Sequence, residues 1–84
     1  MSRWEVELRY QRKLLESDQR YLEVISLAHP QVGYLRHREA NGYLFVTVET
    51  EAENSEKAVM LALNQSRQLW VHERPTQAQV VESP

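Results

Sequence analysis

Hydrophobic and polar residues alternate near the start of the chain. Trp4, Val6, Leu8 and Tyr10 occupy one parity, and charged residues fill the positions between them. Successive side chains of a β-strand point to opposite faces, so this pattern is typical of a strand with one buried face. The sequence therefore predicts a first strand that contains these four residues.

The next hydrophobic residues follow a helical spacing. The stripe, which has Leu27 on its flank, comprises Tyr21, Leu22, Val24, Ile25 and Ala28. Ser17 or Asp18 precedes it, and either side chain is a suitable N-cap. His29-Pro30 ends the helix, because a residue before proline is disfavoured in the helical conformation.

Asn41-Gly42 lies between two strand-like runs, residues 32–40 and 43–51. This pair favours a type I′ turn, because both central residues of that turn need positive φ. A two-residue loop fixes the register of the hairpin, so Arg38 should lie opposite Phe45.

The same register places Arg36 opposite Thr47, Tyr34 opposite Glu49 and Leu35 opposite Val48. One face of the hairpin then carries the more aliphatic set, which we expect to pack on the helices: Leu35, Leu44, Val46 and Val48. The other face should carry Tyr34, Arg36, Arg38, Tyr43 and Phe45.

A second helix follows, with Asn54 or Ser55 as its cap. Its apolar stripe comprises Ala58, Val59, Ala62, Leu63 and Leu69, with Leu61 beside it. One short strand should come after it, and the pattern leaves two positions open, residues 70–74 and residues 77–81.

The predicted order is strand, helix, strand, strand, helix, strand. This order indicates an α+β fold of the ferredoxin-like split βαβ kind, with a four-stranded antiparallel sheet and both helices on one face. The first and third strands should lie side by side in the centre. The alternative is a variant without the last strand. We expect residues 1–75 to form a single domain and residues 76–84 to be a C-terminal tail or the short last strand.

One core should hold the sheet and the helices together. Its expected members are Trp4, Val6, Leu8, Val24, Ile25, Leu44, Val46, Val48, Val59, Ala62 and Leu63. Apolar residues make up 42% of the 84 residues and charged residues 26%, which is a globular composition.

The chemistry available to the chain is limited. There is no cysteine, which excludes disulfides and thiolate zinc sites and is compatible with a reducing compartment. The apolar stretches are too short to cross a bilayer and the first residues lack the apolar core of a signal peptide, so we expect a cytoplasmic protein with no membrane contact. His29, His37 and His72 lie on separate elements, which predicts no metal site and no cofactor.

Enzyme motifs are absent from the sequence. Two glycines in the whole chain cannot build a phosphate-cradling loop, and no serine has the local signature of an activated nucleophile. We therefore expect a protein that is not an enzyme. A small enzyme with its site at a subunit interface is a weaker alternative.

The segment Asn41-Gly42-Tyr43-Leu44-Phe45-Val46-Thr47-Val48 resembles the signature on the third strand of RNA-recognition-motif domains. The resemblance implies single-stranded RNA binding, with bases stacked on Tyr43 and Phe45 beside Arg36 and Arg38. Asn41, Leu44 and Val48 depart from that signature, in which a basic, a small and an aromatic residue stand.

The same face has the composition of a protein interface. Tyr34, Tyr43 and Phe45 would form an exposed aromatic cluster, and both arginines and glutamates surround it. Both helices are placed on the other side of the sheet, so a single chain should have few ways to cover these rings. The preferred hypothesis is a non-catalytic interaction or regulatory module that forms a homodimer or docks on a protein partner through this face.

Overall fold

The computed structural model describes residues 1–82, so residues 83–84 of the expected tail lie outside the described part. The elements are β1 (Ser2–Tyr10), α1 (Glu16–Ala28), a 3-10 turn (Pro30–Val32), β2 (Tyr34–Ala40), β3 (Tyr43–Ala52), α2 (Ser55–Leu69) and β4 (Gln77–Glu82). The molecule is a small α+β structure with a four-stranded antiparallel sheet and two helices, which confirms the coarse prediction.

The strand order in the sheet is β2-β3-β1-β4, and each neighbouring pair is antiparallel. β1 and β3 are the central strands, and their ladder runs from the pair Ser2–Ala52 to the pair Tyr10–Leu44. Of the two positions left open for the last strand, the structure has the second. β4 pairs with β1 along residues 77–82 and completes the sheet.

The core lies between the sheet and the helices. Its buried members are Val6, Leu8, Tyr10, Leu22, Ile25, Val32, Leu44, Val46, Val48, Ala52, Ala58, Ala62 and Leu69. The expected assignments of Val24 and Leu63 to the core are wrong, because these side chains are 57% and 40% exposed. Each helix buries a narrower stripe than its hydrophobic content predicts, since Leu22 and Ile25 alone supply the buried apolar side chains of α1.

The register of the β2–β3 hairpin agrees with the Asn-Gly prediction close to the turn. Arg38 lies opposite Phe45 and Arg36 opposite Thr47, and the turn residues Asn41 and Gly42 both have positive φ. The register shifts between Tyr34 and Arg36, so Tyr34 pairs with Val48 rather than with Glu49. This β-bulge places the Tyr34 side chain on the face of the sheet that the helices cover.

α1 begins two to three residues earlier than the sequence indicates. Leu15 occupies the N-cap position and Asp18 the third helical position, where the Asp18 carboxylate accepts a hydrogen bond of 2.8 Å from the backbone N–H of Leu15. The predicted cap assignment of Ser17 or Asp18 is therefore wrong. At α2 the cap is Asn54, whose side chain accepts from the N–H of Lys57 at 2.9 Å. In the described part of the chain, neither helix is long and apolar enough to cross a membrane.

Arg12 joins the segment after β1 to α1 and to the segment that follows α2. Its guanidinium contacts both carboxylate oxygens of Asp18 at 2.6 and 2.7 Å and the carboxylate of Glu73 at 2.5 Å. The same guanidinium lies 5.0 Å from the ring centroid of Trp70, which packs edge-on against Tyr10. This cluster fixes the end of the molecule where β1 leaves the sheet.

Candidate protein interface on the open sheet face

The helices cover one face of the sheet, and we call the other its open face. It is defined by residues of three strands: Arg3, Glu5, Glu7 and Arg9 of β1; Arg36 and Arg38 of β2; and Tyr43, Phe45, Thr47 and Glu49 of β3. The alternation of side chains and the observed register place them together. The face is therefore built mainly from arginine, glutamate and two aromatic rings.

Ion pairs cross the open face above β3. Arg38 of β2 reaches over β3 and forms two hydrogen bonds with Glu7 of β1, at 3.0 and 3.1 Å. Arg36 reaches over the same strand and bonds to Glu5. Thr47 lies beneath these bridges and is only 4% exposed. Side chains of β2 and β1 thus form a layer over β3, which lies between these two strands.

The aromatic rings lie under arginines in the same layer. The guanidinium of Arg38 is 4.0 Å from the ring centroid of Phe45, and that of Arg9 is 4.6 Å from the ring centroid of Tyr43. The centroids of the two rings are 6.4 Å apart. A single chain was expected to have few ways to cover these rings, but arginines of the same chain lie over both, and both rings are half-buried. Sequence analysis missed Arg9, although its parity on β1 already assigns it to this face.

Tyr34 does not belong to the open face. The β-bulge puts it opposite Val48, and its half-buried ring packs against the core on the helix side. The Tyr34 hydroxyl makes a hydrogen bond of 2.6 Å with Nδ1 of His37. Burial, with a smaller contribution from the Glu23 carboxylate of α1, raises the pKa of Tyr34 above its usual value. The structure therefore brings together four of the five predicted site residues, Arg36, Arg38, Tyr43 and Phe45.

Charge on the open face is almost balanced. Glu5 and Glu49 stand directly opposite each other on β1 and β3. Arg3 lies between their carboxylates, 3.5 Å from Glu5 and 2.7 Å from Glu49. Among the described side chains, those of residues 1–81, no group of three or more could hold a metal ion, here or elsewhere.

No protein-family model, no curated protein and no solved structure matches the chain. The function must be inferred from the geometry of the open face itself.

Proposed function

We propose that the protein is a non-catalytic interaction module that forms a homodimer through its open face. One observation carries this proposal: two aromatic rings and the arginines stacked on them form a single layer, in which Glu7 holds Arg38 and Thr76 holds Arg9. Tyrosine, phenylalanine and arginine are the residue types typical of interface cores. We further propose that the fold is ferredoxin-like, supported by the order β4-β1-β3-β2 with antiparallel neighbours, and that the protein works in the cytoplasm.

The arginines are partly ordered before any partner arrives. Arg36 and Arg38 keep 59% and 56% of their side-chain surface exposed, although each is bonded to a glutamate. A side chain that is already held loses less conformational freedom on binding, which favours association. Each guanidinium also has more N–H donors than its ion pair uses, so some remain for a partner.

A second copy of the chain is a suitable partner for this surface. Two-fold symmetry presents the same patch from both subunits, so a self-complementary patch needs both signs of charge. The open face carries guanidinium groups on β2 and β1 and carboxylates on β1 and β3. In a two-fold arrangement Arg36 of each copy could approach Glu49 of the other copy, whose side chain is 34% exposed.

The test is the oligomeric state of the wild type and of Phe45→Glu. We expect a dimer by light scattering at about 100 μM and a folded monomer for the variant. The substitution replaces the ring that Arg38 covers by a carboxylate that stands directly opposite Arg9 and Arg38 and competes with Glu7 for Arg38. Leu27→Glu is the matched control, because Leu27 is 86% exposed on α1 and the same change there should leave the dimer intact.

Two outcomes would contradict self-association through the open face. A wild type that is monomeric at about 100 μM would leave only a different protein as partner. A dimer that persists in a folded Phe45→Glu would place the interface elsewhere. If Phe45→Glu unfolds, Tyr43→Glu repeats the test at the neighbouring ring.

Phe45→Ala tests the alternative, single-stranded RNA binding. A base could stack on Phe45 or Tyr43 only by displacing the arginine that lies over each ring. Arg36 and Arg38 would also have to exchange their glutamates for phosphates. We therefore expect oligonucleotide affinity no tighter than the roughly 10⁻⁴–10⁻⁶ M of non-specific binding. A tighter affinity at physiological salt that is lost in a folded Phe45→Ala would favour RNA.

A further inference from the structure

A surface cavity lies beside α2, where the helix passes the segment that leads into β4. Its volume is about 600 Å³, within the roughly 300–1,000 Å³ typical of small-molecule pockets. Most of its wall is apolar and comes from Met60, Leu61, Leu63 and Pro75. The cavity is on the helix side of the molecule and shares no residue with the open face.

The apolar residues of this wall are not needed for the core. α2 packs on the sheet through a separate buried stripe, which comprises Ala58, Ala62, Ser66 and Leu69. Met60, Leu61 and Leu63 remain 64%, 42% and 40% exposed. Three large apolar side chains within four positions of one helix leave a surface that gains free energy when water is displaced from it. Methionine adapts easily to ligands of irregular shape.

Two arginines of the cavity are distinguished from the others by their lack of partners. Arg67 and Arg74 line the cavity, are exposed, and make no ion pair or side-chain hydrogen bond with the side chains that the structure describes, those of residues 1–81. The other arginines pair with carboxylates, apart from Arg9, which contacts Thr76 and the Tyr43 ring. A guanidinium without a carboxylate partner is well suited to bind an acidic group bidentately.

The buried polar group in the wall is already satisfied. Ser66 is 3% exposed, and its hydroxyl donates a hydrogen bond of 2.5 Å to the carbonyl oxygen of Leu63. The Ser66 hydroxyl therefore keeps its hydrogen bond when an apolar chain enters the cavity. Binding then avoids the free-energy cost of burying an unpaired hydroxyl.

We propose that this cavity binds a free amphipathic anion, a molecule with one apolar chain and one acidic head group. The chain lies against Met60, Leu61 and Leu63. The head group is held by Arg67 and Arg74. Charge complementarity selects this class of ligand over an apolar cation of the same size, because both charged side chains of the cavity are positive.

Dodecanoate, below its micelle concentration, is the probe, and dodecylammonium is the comparison with the same chain and the opposite charge. By titration calorimetry we expect saturable binding of one dodecanoate per chain and binding of dodecylammonium at least tenfold weaker. Arg67→Glu combined with Arg74→Glu should weaken dodecanoate binding at least tenfold. Arg20→Glu, an exposed arginine on α1, is the matched control and should leave the affinity unchanged.

Equal affinity for the two probes, or an unchanged affinity in the folded double variant, would overturn the proposal. Binding to vesicles of anionic phospholipid without binding to free dodecanoate would replace it with a membrane-surface role. Should the double variant fail to fold, NMR shift changes in the wild type decide. Changes confined to residues 60–67 and 74–75 support the site, and changes elsewhere refute it.

Discussion

Glu5 illustrates what single residues contribute to the open face. Its side chain is 11% exposed in the centre of the sheet, where it stands opposite another carboxylate, that of Glu49. Like charges in directly opposed positions destabilise a sheet, and here Arg3 and Arg36 supply the compensating positive charge. Strand alternation predicts that these residues share a face. It does not predict the pairs, because long side chains have many rotamers and their partners come from distant strands.

Thr50 is a residue whose hydroxyl does not help the fold. It lies on the core side of β3, is 4% exposed, and its Oγ1 has no hydrogen-bond partner among the described residues. We expect Thr50→Val, which keeps the shape, to leave the free energy of unfolding equal or higher by up to about 1 kcal/mol.

The converse substitution on the same strand is the control for Thr50→Val. Val48→Thr adds a hydroxyl at a fully buried position and should destabilise by about 1–3 kcal/mol. Urea unfolding of both variants checks the pair. A loss of more than 1 kcal/mol in Thr50→Val would mean that its hydroxyl has a partner in solution.

At the scale of elements, the β2–β3 hairpin was predictable up to the point where regular pairing ends. The Asn-Gly turn fixes the register by local backbone geometry, so the pairs from Arg36 to Ala40 were correctly predicted. The bulge at Leu35 has no comparable local signal. It depends on contacts of the preceding turn with β3, where the N–H of Glu49 donates to the carbonyl of Gly33 at 2.7 Å. The assignment of Tyr34 failed for that reason.

Gly33 and Gly42 both have positive φ but differ in their surroundings. A Cβ at Gly33 would collide with the backbone carbonyl of Glu49, whereas a Cβ at Gly42 would meet no atom within 4 Å. We expect Gly42→Ala to cost about 1–2 kcal/mol from backbone conformation alone, and Gly33→Ala to cost clearly more. Urea unfolding of the two variants measures the difference, and equal losses would contradict the close approach of the 3-10 turn to β3.

At the scale of the whole molecule, one buried phenol links the stability of the fold to alkaline pH. Tyr10 is 1% exposed and its ring contacts Trp70, which follows α2. Burial raises the pKa of Tyr10 well above its usual value of about 10. As the pH rises past about 10, the usual pKa of a tyrosine, the unfolded chain loses the phenolic proton while the folded chain keeps it. The unfolded chain then binds fewer protons than the folded chain.

The free energy of unfolding should therefore fall above about pH 10, by at most about 1.4 kcal/mol per pH unit from this group. Tyr10→Phe should remove this part of the decline. Urea unfolding of both proteins at pH 9, 10 and 11 measures it, and the titration of lysines cancels in the comparison. If the free energy of unfolding fell equally with pH in the wild type and in Tyr10→Phe, Tyr10 would not be the responsible group.

The position of β1 between β3 and β4 has a consequence for the order in which the sheet forms during synthesis. Leu8 pairs with Val46 on one side and with Ala78, 70 residues later in the chain, on the other. β1 can first pair with β3 when Ala52 has been made, and β4 ends at Glu82, 30 residues later. A ribosome that adds roughly 5–20 residues per second needs about 1.5–6 s for those 30 residues. Hairpins form within roughly 1–10 μs. The nascent sheet therefore exists for seconds with β1 as an unprotected edge, and the β4 segment closes it only after residue 82 has left the exit tunnel.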